Sequence, residues 1–152
     1  MAANTIAIGS VLTEISLAAA APATFNTAGY DALTWKVVGE LENVGDLGPS
    51  SEPIKRMPMS SNIVKKLKGI RDYGSLPVDV AYAPGDVGQA EMETAEASTL
   101  EWSFRLKFQD GTIWYFRGLV MGMTVKIGGA NDYVRGTGDV GITTPITRKY
   151  TA

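Results

Sequence analysis

Three glutamates, Glu91, Glu93 and Glu96, are the closest group of side chains in this 152-residue chain that could perform acid/base chemistry. A pair of carboxyl groups can hydrolyse a glycosidic bond, one acting as acid and the other as base or nucleophile. These glutamates fall in a short predicted helix, where charged residues on the exposed face ordinarily serve solubility. A carboxylate-based hydrolase is therefore the least favoured of the functions considered.

The chain lacks the residues that other kinds of catalytic site require. The chain contains no Cys and no His, which excludes thiol nucleophiles, Ser-His-Asp relays, disulfides and nearly all zinc sites. Gly39, Gly45 and Gly48 are not followed by the Lys-Ser/Thr pair and helix of a phosphate-binding loop. We therefore predict no enzyme activity, no catalytic residue, no metal and no cofactor.

Four aromatic residues, Trp102, Trp114, Tyr115 and Phe116, could form a platform on which sugars or single strands stack. They fall in two strands of a predicted central hairpin, where alternating aromatics ordinarily pack in a core. A β-sandwich module that recognises carbohydrate or protein through its aromatics and loops is the second hypothesis for function.

Asp86 and Gln89 have the spacing of a helix-capping pair. The strand-like alternation of Val78, Val80 and Tyr82 stops at the Pro84-Gly85 turn. Asp86 then accepts hydrogen bonds from the first-turn N–H groups, and Gln89 is expected to reach back to the Asp86 N–H. The pattern predicts a helix over residues 87–97.

Strand-like periods account for most of the remaining chain. The clearest alternation runs over residues 100–108, and Asp110-Gly111 predicts the hairpin turn that follows it. We predict one domain over residues 1–152, mainly β, with an antiparallel β-sandwich or open barrel and one flanking α-helix. The predicted strands cover residues 33–41, 63–70, 76–82, 100–108, 113–127 and 133–142.

Three features predict association with copies of the same chain. Residues 1–31 carry small, mostly uncharged side chains without a sustained period, which is typical of an extended arm lying on a neighbour. Residues 42–62 form a long hairpin loop with two glycines, three prolines and four serines. The strand at 113–127 is apolar on both faces from Trp114 to Met123. Residues 143–152 are predicted to be a tail.

Charges are sorted along the chain although the net charge is only −2. Six bases between residues 55 and 71 have no acid among them, and seven acids between residues 72 and 101 have no base. These runs are either solvated faces or complementary surfaces of two subunits. The predicted contact between subunits joins Lys65, Lys66, Lys68 and Arg71 to Glu91, Glu93 and Glu96.

Compartment and nucleic-acid binding follow from composition. No stretch approaches the ~18 apolar residues of a membrane helix, and the first base is Lys36, so no membrane contact and no secretory signal are predicted. The near-neutral charge does not favour tight binding to nucleic acid. The chain is expected to mature in a reducing cytoplasm.

Four segments resemble the lambda-like (siphophage) major tail tube proteins. Two motifs carry the likeness: V-G-E-x-x-x-x-G at 38–45, and A-x-x-P-x-D-x-G-Q at 81–89. The match covers residues 35–142 and includes WKVVGELENVGDLGPS, EPIKRMPMSSNIVKKLKGIRDYG, LPVDVAYAPGDVGQAEM and FQDGTIWYFRGLVMGM. The family fold is a β-sandwich with a flanking helix.

The resemblance implies a structural virion protein of the phage tail, assembled in the host cytoplasm. Its copies would form rings, commonly hexameric, that stack into a hollow tube through which DNA passes without specific binding. The further partners implied are the tape measure, tail terminator and tip proteins. Residues 1–31 match an arm that binds a neighbouring subunit, and Asp86 and Gln89 match the structural capping pair.

The resemblance also places the contact between rings in the loop at 42–62. The residues assigned to this contact are Gly45, Asp46, Leu47, Pro49, Glu52, Ile54, Lys55, Arg56 and Met57. Relatives often show a Thr where this chain has Arg56-Met57-Pro58, which leaves the register of the loop open. The C-terminal decorating domain that some relatives carry is not expected after the final strand.

Overall fold

The computed structural model describes residues 7–150 and shows a mainly β fold with a large antiparallel sheet and one main helix, which confirms the predicted class. The elements in chain order are β1 (Glu14–Ala18), α1 (Thr27–Asp31), β2 (Lys36–Val37), β3 (Leu41–Val44), β4 (Ser50–Arg56), β5 (Lys65–Asp72), β6 (Ser75–Ala81), α2 (Val87–Ala97), β7 (Trp102–Lys107), β8 (Ile113–Lys126), β9 (Arg135–Ile142) and β10 (Thr147–Lys149). The main helix α2 has the predicted bounds.

One hydrogen-bonded sheet contains eight of these strands in the order β2-β1-β7-β8-β9-β6-β3, with β10 paired to the start of β8. All pairs are antiparallel. The long strand β8 joins the two halves because its first part pairs with β7 and its second part with β9.

The sheet curls until its two ends nearly meet. Val38 N–H donates to Ile15 of β1 at 2.9 Å, and Glu40, two residues later, accepts from Ala81 N–H at the end of β6, also at 2.9 Å. Two residues span at most about 7 Å, so the short connection between β2 and β3 bridges opposite ends of the strand order. The architecture is that of an open barrel.

The core lies inside this curl. Ile15 of β1 and Leu76 of β6 belong to one cluster although their strands lie near opposite ends of the sheet. Phe104 of β7 and Phe116 of β8 stack there with ring centroids 5.6 Å apart. The helix α2 adds Met92, which is fully buried. Burying this apolar surface is the main stabilising contribution to a domain of this size.

The start of α2 is held by Asp86, whose Oδ2 accepts from Gln89 N–H at 2.9 Å. The same carboxylate also accepts from Gly39 N–H at 3.0 Å. The prediction that the Gln89 side chain accepts from Asp86 N–H is wrong, since that N–H donates to Ala83 O at 3.0 Å instead. Asp86 therefore joins the helix to the connection between β2 and β3.

Gln89 is 2% exposed, and its side chain makes three hydrogen bonds to backbone groups outside the helix. Its Nε2 donates to Gly39 O at 3.0 Å and to Ala81 O at 2.9 Å, while its Oε1 accepts from Ala83 N–H at 3.0 Å. The helix can approach so closely because Gly88 has no side chain, as a Cβ there would lie 2.2 Å from Val37 O. The side chain satisfies backbone groups that the sheet leaves unpaired.

A second layer covers the outer face of β8. The prediction that this strand is apolar on both faces fits the structure, since Phe116 points into the core and Tyr115 points outward. Tyr115 stacks on Tyr30 of α1 at 5.1 Å, and its hydroxyl donates to Asp31. Asp31 also accepts from Lys149 of β10 at 2.7 Å. The two carboxylate bonds fix α1 and β10 to the sheet.

The prediction that residues 1–31 form an extended arm is wrong for residues 14–31. Ile15 and Leu17 are buried in the core, and β1 pairs with β7 along its whole length. A strand of only five residues is too short to show a clear period, and its burial depends on β7 and α2 rather than on its own sequence. Residues 7–13 precede the fold, and residues 1–6 lie outside the described part of the chain.

Three other predicted boundaries differ from the structure. The strand expected at 33–41 is divided into β2 and β3 by Glu40, whose φ is 55°. The strand expected at 63–70 pairs with β4 inside the predicted loop, not with residues 33–41. Part of the predicted tail, Thr147–Lys149, pairs with β8 as β10. Each difference arises from pairing between distant segments.

Replacing Gln89 with Ala is expected to destabilise the subunit by about 2 kcal/mol, because it removes the side-chain partner of three partly buried backbone groups. Glu93→Ala, on the exposed side of the same helix, is the matched control and should cost less than about 0.5 kcal/mol. Urea unfolding measures both. Equal losses of free energy for the two variants would contradict this role of Gln89.

Asp31 makes stability depend on pH at the acidic end. Burial raises the pKa of its carboxyl group, but hydrogen bonds from Lys149 and Tyr115 outweigh burial, so its pKa lies below the ordinary 3.8. The stabilisation is therefore present above pH 3.8 and is lost as the pH falls through the lower folded-state pKa. Asp31→Asn should lower the thermal midpoint near neutral pH and have little effect at about pH 2. Asp139→Asn, at an exposed position on β9, serves as control.

Candidate assembly surface

The strands β4 and β5 form a separate two-stranded sheet. In the chain they lie between β3 and β6. We call residues 50–72 the assembly hairpin. None of these residues is buried, and among residues 7–150 the two strands pair only with each other. An isolated two-stranded hairpin is only marginally stable in water, and the described residues of the subunit provide no further strand that pairs with this one.

The hairpin has two different faces. Directly opposite residues of an antiparallel pair share a face, so Ile54 and Leu67 lie together, and Lys55 and Lys66 lie together on the other side. The apolar pair Ile54 and Leu67 is mostly exposed. A bulge next to Glu52 bends the hairpin, and Gly69 permits it, since a Cβ there would lie 2.4 Å from Glu52 O.

Like charges face each other near the tip. Lys55 lies opposite Lys66, and Arg56 lies opposite Lys65. Such pairs destabilise a hairpin. The three ion pairs that the described residues form all lie elsewhere, so nothing within the described subunit neutralises these four cations or Lys68. Arg71 differs, since its guanidinium lies over the ring of Tyr73 at 5.4 Å.

The turn between the strands carries an apolar tip formed by Met57, Met59 and Ile63. Met57 is 79% exposed, Ile63 is 68% exposed, and Met59 is fully exposed. Large apolar side chains that are exposed within one short turn are candidates for a site of interaction. We call these three residues the hairpin tip.

The structure divides the residues predicted to contact the next ring. Gly45 and Leu47 belong to the base, because Gly45 N–H donates to Pro77 O at 2.9 Å and Leu47 packs against the core. Asp46 and Pro49 are exposed in the link to β4. The remaining members lie on or beside β4: Glu52, Ile54, Lys55, Arg56 and Met57. Sequence reasoning missed the tip residues Met59 and Ile63, although apolar side chains in a polar loop are a usable signal.

The predicted acidic surface is smaller than its sequence suggests. Glu91 pairs with Lys36 of its own chain at 2.5 Å, and Glu101 pairs with Arg117 at 3.3 Å. Glu93 and Glu96 remain exposed on α2 without an ion pair among the described residues. The charge contact between subunits stays a prediction, and on the acidic side it rests on these two glutamates.

A groove lies along the free edge of the main sheet. It has a volume of about 590 Å³. We call it the edge groove. It is lined by β3, the last strand of the sheet, and by the segment before β1. The lining residues are 8–13, 41–45, Leu106 and Phe108. No residue of the hairpin lines this groove, so the hairpin does not occupy it within its own chain.

The aromatic platform considered from the sequence is not available. Trp102, Tyr115 and Phe116 are buried, and Trp114 is half-covered by Arg148, whose guanidinium lies 4.7 Å from the ring centre. The alternation therefore serves packing. Within residues 7–150 no three His, Cys, Asp or Glu side chains are grouped to hold a metal ion, and no helix has the length and apolarity needed to cross a membrane.

Comparison with known proteins relates the fold to tubular assemblies. Neither a protein-family model nor a curated protein matches the sequence. A chain of the SPP1 tail tube superposes with a TM-score of 0.64 at 12% identity, over 91% of this chain and 77% of that chain. A chain from the tail of an empty gene transfer agent particle, refined with C6 symmetry, superposes with a TM-score of 0.66 at 12% identity, over 91% of this chain and 95% of that chain. A chain from the tube-terminating cap of the anti-feeding prophage superposes with a TM-score of 0.63 at 13% identity, over 99% of this chain and 96% of that chain. This chain therefore has the tail tube fold.

Reversing one charge tests the cost of the opposed cations. Lys66→Glu places opposite charges across from Lys55 and should stabilise the hairpin of an unassembled subunit by roughly 0.2–1 kcal/mol. Hydrogen exchange of the hairpin amides should slow by up to about fivefold. Lys66→Gln, which only removes the charge, should give a smaller effect. Unchanged or faster exchange in Lys66→Glu would contradict the interpretation that the opposed cations destabilise the free hairpin.

Proposed function

We propose that this chain is the repeating subunit of a phage-type tail tube, a structural and non-enzymatic protein whose copies form stacked rings. The observation that carries the proposal is an uncovered, two-faced hairpin attached to a compact tail tube fold. An exposed apolar tip and unneutralised cations are unfavourable in a free subunit. They are explained if each copy presents them to another copy.

The finer parts of the proposal rest on the resemblance of the sequence. The rings are hexameric, which agrees with the C6 symmetry applied to the similar gene transfer agent tail. DNA passes through the lumen without specific binding. The tape measure, tail terminator and tip proteins are further partners. The protein resides in the virion tail after assembly in the host cytoplasm.

Within the tube, the assembly hairpin makes the contact between rings. Its cations Lys65, Lys66, Lys68 and Arg71 face Glu93 and Glu96 of a neighbouring copy, and Glu91 contributes less because Lys36 already pairs with it. Since residues 14–31 belong to the fold, any arm that reaches a neighbour is limited to residues before Glu14. Exposed ion pairs contribute at most about 1 kcal/mol each, so they chiefly set the rate and orientation of assembly.

The proposal is tested by imaging the purified chain in negative stain as its concentration rises. We expect rings or tubes with a central channel, formed without any ligand. Sedimentation at the same concentrations gives the size of the smaller species. A chain that remains monomeric at every concentration would overturn the tube hypothesis.

Removing the hairpin should separate folding from assembly. Replacing residues 50–72 by a short Gly-Ser connection leaves the buried core intact, because none of these residues is buried. A shorter connection changes closure entropy little, since each doubling of loop length costs about 0.6 kcal/mol. The thermal midpoint should stay near that of the parent, and long tubes should not form. Long tubes from the shortened chain would show that the hairpin does not make the contact between rings.

A further inference from the structure

We propose that the hairpin tip of one copy docks in the edge groove of a second copy. The inference rests on the proposed function and adds to it the surface that receives the hairpin. Both surfaces belong to the same chain but are different, which makes the contact heterologous. Heterologous contacts repeat from copy to copy and generate closed rings or open helical assemblies.

The sizes of the two surfaces agree. A groove of about 590 Å³ accepts a few side chains but not a whole two-stranded ribbon. The tip offers three, Met57, Met59 and Ile63, and all three are exposed. Methionine is flexible and fills irregular apolar space. The groove supplies apolar walls through Ile8, Val11, Leu41, Leu106 and Phe108.

The charges of the two surfaces are opposite. The groove lining contains one acid, Glu42, and no base. The chain around it, from Val37 to Ile54, carries four acids and no base. The hairpin tip is flanked by the opposed cations Arg56 and Lys65. Glu42 accepts from Tyr133 in its own chain, but a carboxylate has about four acceptor sites, so it can also receive bonds from a cation.

Within residues 7–150 the strand β3, which lines the groove, is paired on one side only. The strand β3 pairs with β6 on one side, and along its other side the described residues provide no partner strand. An exposed strand edge presents N–H and C=O groups that an incoming segment can pair with. A docked tip would therefore gain backbone hydrogen bonds as well as apolar burial and charge pairing. These three contributions act at the same place, which favours this groove as the receiving surface.

Site-directed cross-linking tests the contact directly, because the chain has no Cys of its own. A Met59→Cys subunit is mixed with a Val11→Cys subunit under a mild oxidant, and disulfide-linked pairs are followed on a non-reducing gel. The control partner is Ile127→Cys, which is 72% exposed where Val11 is 63% exposed and lies outside the groove. We expect the tip–groove pair to form several-fold faster than the control pair. Equal rates would overturn the proposal.

An exchange of charges gives an independent test. Glu42→Lys alone, and Arg56→Glu with Lys65→Glu, should each slow assembly several-fold. The three substitutions together should restore the rate towards that of the parent, because every tip and every groove then carries the reversed charge. Asp139→Lys, at an exposed position on β9 to which no contact between copies is assigned, should not be rescued by the hairpin reversal. Failure of the combined variant, with a thermal midpoint equal to the parent's, would contradict the pairing of Glu42 with Arg56 and Lys65.

The outcomes distinguish this inference from the proposed function. Tubes that form without preferential tip–groove cross-links would refute the docking surface and leave the tail tube function intact. Rapid tip–groove cross-links in small oligomers, with no rings or tubes at any concentration, would support the docking surface and refute the tube function.

Discussion

The fold depends on the way in which α2 holds the peptide groups of Gly39. The N–H of Gly39 donates to Asp86 and its carbonyl accepts from Gln89, both in the first turn of the helix. This residue lies midway in the connection that joins the two ends of the curled sheet. Without partners from α2, its peptide groups would be left without hydrogen bonds in a partly buried position. The same bonds place α2 over the core and direct the chain into β3, the strand that precedes the assembly hairpin.

The acids of residues 72–101 and the bases of the hairpin differ in whether they have partners within the chain. Five of the seven acids from Asp72 to Glu101 have a partner within the chain: Asp86 caps a helix, Glu91 and Glu101 form ion pairs, and Asp72 and Asp79 accept hydrogen bonds. The cations of the hairpin have no such internal partners among the described residues. The bases of the hairpin can therefore attract acidic groups of another molecule, whereas most acids of residues 72–101 already have a partner within the chain. This asymmetry suits a contact between two different surfaces of identical copies.

Much of the fold could be predicted because it depends on local interactions. The alternation that buries Trp102, Phe104 and Leu106 and the cap at Asp86 each involve residues a few positions apart. The predicted hairpin turn forms at Asp110-Gly111 and Gly111 has φ of 88°, but the type I′ geometry expected from this pair is wrong, because Asp110 does not have the positive φ that type I′ also requires. What could not be predicted involves distant residues. Gln89 bonds to Gly39 across 50 positions, and the short strand β1 is buried only because β7 lies beside it.

For the candidate assembly surface, the sequence by itself determined that a polar, base-rich excursion with apolar side chains interrupts a β protein, because composition and charge order can be read directly. Only the tertiary structure decided that β5 pairs with β4, which sets like charges opposite each other and exposes the tip. The edge groove has no local signature at all. It exists because three segments far apart in the chain, at 8–13, 41–45 and 106–108, meet at the end of the curled sheet, and such contacts depend on long-range packing.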